Sequence, residues 1–178
     1  MVGYRRNFIP GGTFFFTVTL EDRRSSLLVE RVGLLRAAFR AARDKKPFTV
    51  DAIVILPEHL HTVMTLPSGD ADFSDRWRQI KSHFTRGLVA AGVPLSANHR
   101  GEYGLWQKRF WEHTIRNERD LERCVDYIHY NPAKHCPVSS PADWPHSSLH
   151  RYVRDGIFPA DWGGSGAFDK GDFGERED

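Results

Sequence analysis

The sequence holds only two cysteines, Cys124 and Cys136, among 178 residues. They form no CxxC pair and are too few for a disulfide framework, so both are read as reduced thiols. Long apolar runs are missing as well. The longest, around Phe14 to Phe16 and Ile53 to Leu56, are strand-sized and far short of the roughly 20 residues that cross a bilayer. No membrane partner is expected. The basic start, Met1-Val2-Gly3-Tyr4-Arg5-Arg6, is not followed by the apolar stretch and cleavage site of a secretory signal, and the expected location is the cytoplasm. A strong charge of one sign is lacking too: 25 Lys and Arg against 23 Asp and Glu give a formal +2, too little to argue for nucleic acid by itself.

What is present is a globular composition, 40% hydrophobic and 27% charged, on a length natural for one domain. One domain over residues 1–162 and a flexible polar tail over 163–178 are expected. The positive charge is clustered at Arg5-Arg6, Arg23-Arg24, Arg76 to Lys81 and Lys108-Arg109. Such clusters suit phosphate binding but equally suit a solvated face.

Thr13 to Leu20 is aromatic and β-branched, a strand released by the Gly11-Gly12 turn. From Ser25 the spacing of Leu28, Val32, Leu35, Phe39 and Ala42 describes one apolar helix face that ends before Pro47. Phe48 to Leu56 and His59 to Leu66 form a hairpin across the tight Pro57-Glu58 turn. Phe73, Trp77, Ile80, Phe84 and Leu88 mark a second amphipathic helix with Ser74 as its expected cap. Ala91 to Gly104 reads as a loop, and Arg109 to Arg116 as a fourth strand. Asn117 then caps a helix, with Asp120 completing a weak capping box. That helix is expected to end near Tyr130, because Pro132 pushes Asn131 away from the α region. A short helix over Ser147 to Arg154 follows. The fold class is therefore α+β: a ferredoxin-like, RRM-like β-α-β-β-α-β palm with an added C-terminal helix.

Two segments carry chemistry. In a strand His59 and His61 point the same way while Leu60 points into the opposite layer, so both imidazoles can converge on one ion. His-x-His also arises by chance among nine histidines, and the pair needs a third ligand. Two imidazoles with oxygen donors suit manganese, zinc or, less typically, magnesium. On the last long helix Leu121, Cys124, Val125 and Ile128 form the buried stripe, with Tyr127 and Asn131 together on its flank. A tyrosine there is commonly a packing residue. As a nucleophile it would store a cleaved phosphodiester as a phosphotyrosine bond, and a pKa near 10 would call for a metal or base beside it. Asn131, one turn on, offers an oxygen ligand.

An ordered set of motifs now stands out: Tyr4-Arg5-Arg6, Gly11-Gly12-Thr13-Phe14-Phe15-Phe16-Thr17, Leu56-Pro57-Glu58-His59-Leu60-His61, Trp106-Gln107-Lys108-Arg109-Phe110-Trp111-Glu112-His113, Val125 to His135, and Asp143-Trp144-Pro145. Through them the chain resembles the REP-associated tyrosine transposases of bacteria, single-tyrosine members of the HUH nuclease superfamily. The resemblance implies one HUH domain over 1–162 and a divalent cation, Mg2+ or Mn2+, at His59 and His61. It implies Tyr127 as catalytic nucleophile, forming a 5′-phosphotyrosine link and freeing a 3′-hydroxyl on single-stranded DNA. Related insertion-sequence transposases place a glutamine one helical turn after the nucleophile, where this chain has the shorter Asn131. The implied substrate is a REP-type palindromic hairpin, which would associate the protein with the nucleoid. Arg5, Arg6, Lys108 and Arg109 become candidate DNA contacts. Monomer and homodimer both stay open. Trp106, Trp111 and Trp144 suit core packing or base stacking. The rival function is a non-catalytic RRM-like module that binds single-stranded nucleic acid through aromatic residues on its sheet.

Overall fold

The computed structural model describes residues 7–163. The candidate contacts Arg5 and Arg6, and nearly all of the expected tail, lie outside them.

Alternation along the strands decides the architecture. Strands β1 (Thr13–Thr19), β2 (Thr49–Ile55), β3 (His59–Thr65) and β4 (Trp111–Thr114) pair antiparallel in the order β2-β3-β1-β4, as the split βαβ arrangement requires. Phe14, Phe16, Val18, Leu60 and Met64 face one layer. It contains α1 (Leu27–Glu30), α2 (Val32–Lys45) and α3 (Phe73–Ala90). Phe15, Ala52, Val54 and Val63 face the other, against Cys124, Val125 and Ile128 of α4 (Glu118–His135). With apolar residues on both faces of β1 and β3, the sheet lies between two cores. After α4 the chain makes a 3-10 turn at Pro141–Asp143 and a short helix α5 (Leu149–Arg154) beside the β2 edge.

Several local expectations are corrected. The first helix is interrupted at Arg31, which separates α1 from α2. Asp72 rather than Ser74 caps α3, its carboxylate accepting from the Asp75 N–H at 3.0 Å. Asn117 does cap α4 through the Asp120 N–H at 2.9 Å. The reciprocal half of the capping box is missing: the Asp120 carboxylate instead accepts from the Arg116 N–H and from His113. The fourth strand is shorter than expected.

The largest departure is the length of α4, which runs through Pro132 to His135. A proline inside a helix removes one backbone bond and crowds the preceding turn, at a cost of about 3 kcal/mol. Here Asn131 and Pro132 are both buried, so tertiary packing offsets that cost and the helix gains a further turn.

The basic run Arg76 to Lys81 is largely structural. Arg76 is fully buried, donating to the Pro47 carbonyl, the Asp72 carbonyl and the Asp70 carboxylate. Lys81 donates to the Gln107 carbonyl and lies near the Trp106 and Phe110 rings.

Candidate active site

β3 is a central strand, and its first residues follow directly on the Pro57-Glu58 turn, so His59 and His61 are carried on rigid backbone. Both are buried on the α4 side of the sheet, with ring centroids 4.9 Å apart. Each Nδ1 has a neighbour that fixes the ring. His61 Nδ1 lies 2.8 Å from Thr17 Oγ1, its cross-strand partner on β1. His59 Nδ1 donates to Glu58 Oε1 at 2.8 Å. A proton on Nδ1 leaves the lone pair of His59 on Nε2, the arrangement by which carboxylate-bonded histidines ligate metals. Burial works against the Glu58 charge, but the hydrogen bond from His59 and the nearby positive charges outweigh it and hold the carboxyl below its usual range.

Helix α4 lies across this face. The Tyr127 ring is half-buried, edge-on to His61 with centroids 5.2 Å apart, and also packs edge-on to Phe15 at 5.9 Å. Asn131, one turn further, is buried. Strand and helix thus bring the histidine pair and Tyr127 together, although 66 residues separate His61 from Tyr127 in the chain.

The extra turn of α4 adds two groups that sequence reasoning did not place. His135 lies edge-on to His59 with centroids 5.9 Å apart, and Lys134 Nζ is 5.7 Å from the centre of the Tyr127 ring. Tyr127, Asn131 and His135 stand at i, i+4 and i+8, one stripe of an uninterrupted helix. The spacing was visible in the sequence; the expected stop at Tyr130 concealed it. Glu58 and Thr17 were missed as well, since neither has a motif signature apart from its neighbours.

Two imidazoles backed by hydrogen-bonded Nδ1 atoms, with an amide side chain on the facing helix, form a nitrogen and oxygen donor set that fits a divalent cation. A separate group, His113, Asp120 and Cys124, also has its ligand atoms within 4.8 Å of one another. Its polar members serve the fold: His113 Nε2 lies 2.9 Å from the Asp120 carboxylate and ties β4 to the start of α4. Burial pushes the Cys124 thiol up to about 12, so it stays protonated.

Lys108 and Arg109 are exposed on the segment leading into β4. The three tryptophans are packed. Trp106 Nε1 donates to Thr85 Oγ1, Trp111 sits edge-on to Phe15, and Trp144 Nε1 donates to the Ile55 carbonyl. The sheet face that an RRM-like module would offer to bases is covered by α4, with Phe15 fully buried beneath it.

No family model matches the chain. It is 48% identical over 164 residues to a REP-associated tyrosine transposase of Escherichia coli strain K12, covering 92% of both proteins. It is 44% identical over 167 residues to a putative REP-associated tyrosine transposase of Haemophilus influenzae, covering 93% of this chain and 95% of that one. A solved REP-associated tyrosine transposase bound to a REP hairpin superimposes with a TM-score of 0.86 at 46% identity, covering 99% of each chain. Identity of this order over nearly the full length, on the same fold and around a strand-borne histidine pair facing a helical tyrosine, makes this chain a member of the REP-associated tyrosine transposases, a family of enzymes.

Proposed function

We propose that the protein cleaves and rejoins single-stranded DNA at REP-type palindromic hairpins, with Tyr127 as nucleophile and His59 and His61 as ligands of the divalent cation that membership of the family implies. Asn131 supplies an oxygen donor to the same ion, which is Mg2+ or Mn2+. The observation that carries this reading is the convergence of His59, His61 and Tyr127 from β3 and α4, with neighbouring ring centroids 4.9 and 5.2 Å apart.

A divalent cation held by His59 and His61 would supply Lewis-acid polarisation of the scissile phosphate. Thr17 and Glu58 hold the two imidazoles in orientation through their Nδ1 atoms. Tyr127 attacks phosphorus: the phenolic oxygen forms the new P–O bond, the P–O3′ bond breaks, and the phenolic proton is lost as the 3′-oxygen gains one. The 5′-phosphotyrosine keeps the ester for transfer to another 3′-hydroxyl. Lys134, on the same helix, brings a positive charge near the phenol ring. Arg5, Arg6, Lys108 and Arg109 contribute contacts to the DNA, and acting on DNA places the protein at the nucleoid.

The test is a hairpin oligonucleotide with unpaired flanks, drawn from palindromes beside the gene, incubated with Mg2+ or Mn2+. The expected product is a nicked strand attached to protein through denaturing electrophoresis, abolished by chelator and by Tyr127→Phe. Full adduct yield from Tyr127→Phe would overturn the nucleophile assignment. His59→Ala should lose cleavage while keeping most DNA affinity, because basic contacts carry the latter.

A further inference from the structure

On the far side of the sheet from Tyr127, helix α2 and edge strand β2 enclose a groove of about 330 Å³. Its rim is positive. Arg36, Arg40 and Arg43 line it, all three exposed on one face of α2, and an axial rise of about 1.5 Å per residue spreads them over roughly 10 Å. Among the described residues no ion pair engages any of the three, and no carboxylate lines the groove. Its floor is apolar, formed by Phe39 and Phe48, whose rings meet edge-on, and by Val50, Ile53 and Ile55 of β2.

One polar group joins this lining. His146 closes the end near Ile55, and its buried Nδ1 has no hydrogen-bond partner. Burial first, and then the charge of Arg36, lowers its pKa, so the ring is neutral and able to exchange a hydrogen bond with a ligand. The position of that end matters. Ile55 pairs with Leu60, the residue between His59 and His61. The groove therefore opens at the same end of the sheet as the histidine pair, on the opposite face.

We infer that this groove holds the unpaired DNA strand adjoining the hairpin, its phosphates on Arg36, Arg40 and Arg43 and its bases against the Phe39 and Phe48 floor. A row of arginines beside an aromatic floor is the combination that holds single strands without reading sequence. A duplex would present phosphates to the rim but keep its base faces stacked away from the floor. The inference rests on the reading of the chain as a single-strand DNA transposase.

The experiment compares two fluorescent probes across a salt series by anisotropy: a hairpin alone, and the same hairpin extended by an unpaired strand on either side. The full-length protein is set against the triple variant Arg36→Gln, Arg40→Gln, Arg43→Gln. The unmodified protein should bind the extended probe more tightly. The triple variant should lose most of that advantage, about tenfold or more, and its log–log salt slope should flatten by roughly 2, three contacts at about 0.7 each. Affinity for the bare hairpin should change less than twofold, and the corresponding Lys triple should restore binding.

A second measurement needs no variant: 5-iodouracil placed in the unpaired strand should crosslink to Phe39 or Phe48. Four results would overturn the inference: an unchanged salt slope, an equal loss on both probes, crosslinks confined to α4, or displacement of the extended probe by a polyglutamate peptide at equal charge concentration. Binding through the groove by a protein that never forms the Tyr127 adduct would sink the proposed chemistry and leave the groove assignment standing.

Discussion

The Tyr127 ring meets the His61 ring edge-on with centroids 5.2 Å apart, and His61 is in turn held at Nδ1 by Thr17, 2.8 Å away on the neighbouring strand. Three elements, α4, β3 and β1, therefore set the place of one phenol relative to one imidazole. Thr17→Val and Glu58→Ala each remove a group that orients a histidine without touching the proposed ion. Each is expected to weaken Mn2+ binding by roughly 10- to 100-fold, measured by calorimetric titration, while melting stays within a few degrees of the parent. Unchanged Mn2+ affinity in both would mean that the imidazoles need no such support.

Arg76 is the buried cation of the α3 layer. Its guanidinium satisfies the Pro47 and Asp72 carbonyls and pairs with Asp70. Replacing it with Met keeps the apolar stem but strands those acceptors, so Arg76→Met is expected to cost about 3 kcal/mol, read from urea unfolding. A loss below about 1 kcal/mol would show that water satisfies the carbonyls.

His129 should make the fold acid-sensitive above the range where carboxylates titrate. It is fully buried on α4, with Nε2 2.9 Å from Ser148 Oγ, among the rings of Tyr152, Phe158 and Trp162. Burial, then the charges of Arg151 and His150, lower its pKa from 6.5 to about 3. Between those values the unfolded chain binds a proton that the folded one refuses. The His129 contribution is thus fully present above about pH 6.5 and lost as pH falls toward 3, with about 2 kcal/mol gone by pH 5. Unfolding free energies at pH 7 and pH 5 check this: the drop should shrink by that amount in His129→Phe, and an identical drop in both proteins would refute it.

Gly12 is required by space rather than by its backbone angles. A Cβ there would stand 2.9 Å from the Ile9 carbonyl oxygen and from the Phe14 ring. Phe14 is fully buried and packed against Phe16 and Phe73, so it has nowhere to move. Gly12→Ala is expected to destabilise by about 1–3 kcal/mol, seen as a lowered melting temperature with no change in Mn2+ affinity at the distant histidine pair.

The two-residue period of β1 and β3 and the apolar stripe of α4 are written in residue order, which is why the strand sequence, the shared face of His59 and His61, and the neighbouring positions of Tyr127 and Asn131 were legible. Local rules failed where distant packing overruled them. Pro132 forecasts a helix end because its ring and missing N–H disfavour the turn before it; burial against the second core reverses the outcome, and with it the places of Lys134 and His135. Arg76 reads as part of a surface cluster until its partners, among them the Pro47 carbonyl 29 residues away, are seen around it.

The sequence by itself determined the order of elements, which side chains share a face, and the pairing of a histidine motif with a helical tyrosine, because periodicity and spacing act over a few residues. Only the tertiary structure decided that the tyrosine faces the histidines, that Thr17 and Glu58 orient them, and that three arginines of α2 share a groove with the β2 edge. Apart from Glu58, which adjoins His59, those relationships join positions well separated in the chain. Their distances are set by how two cores close on one sheet, a property of the packed whole that no local run of residues specifies.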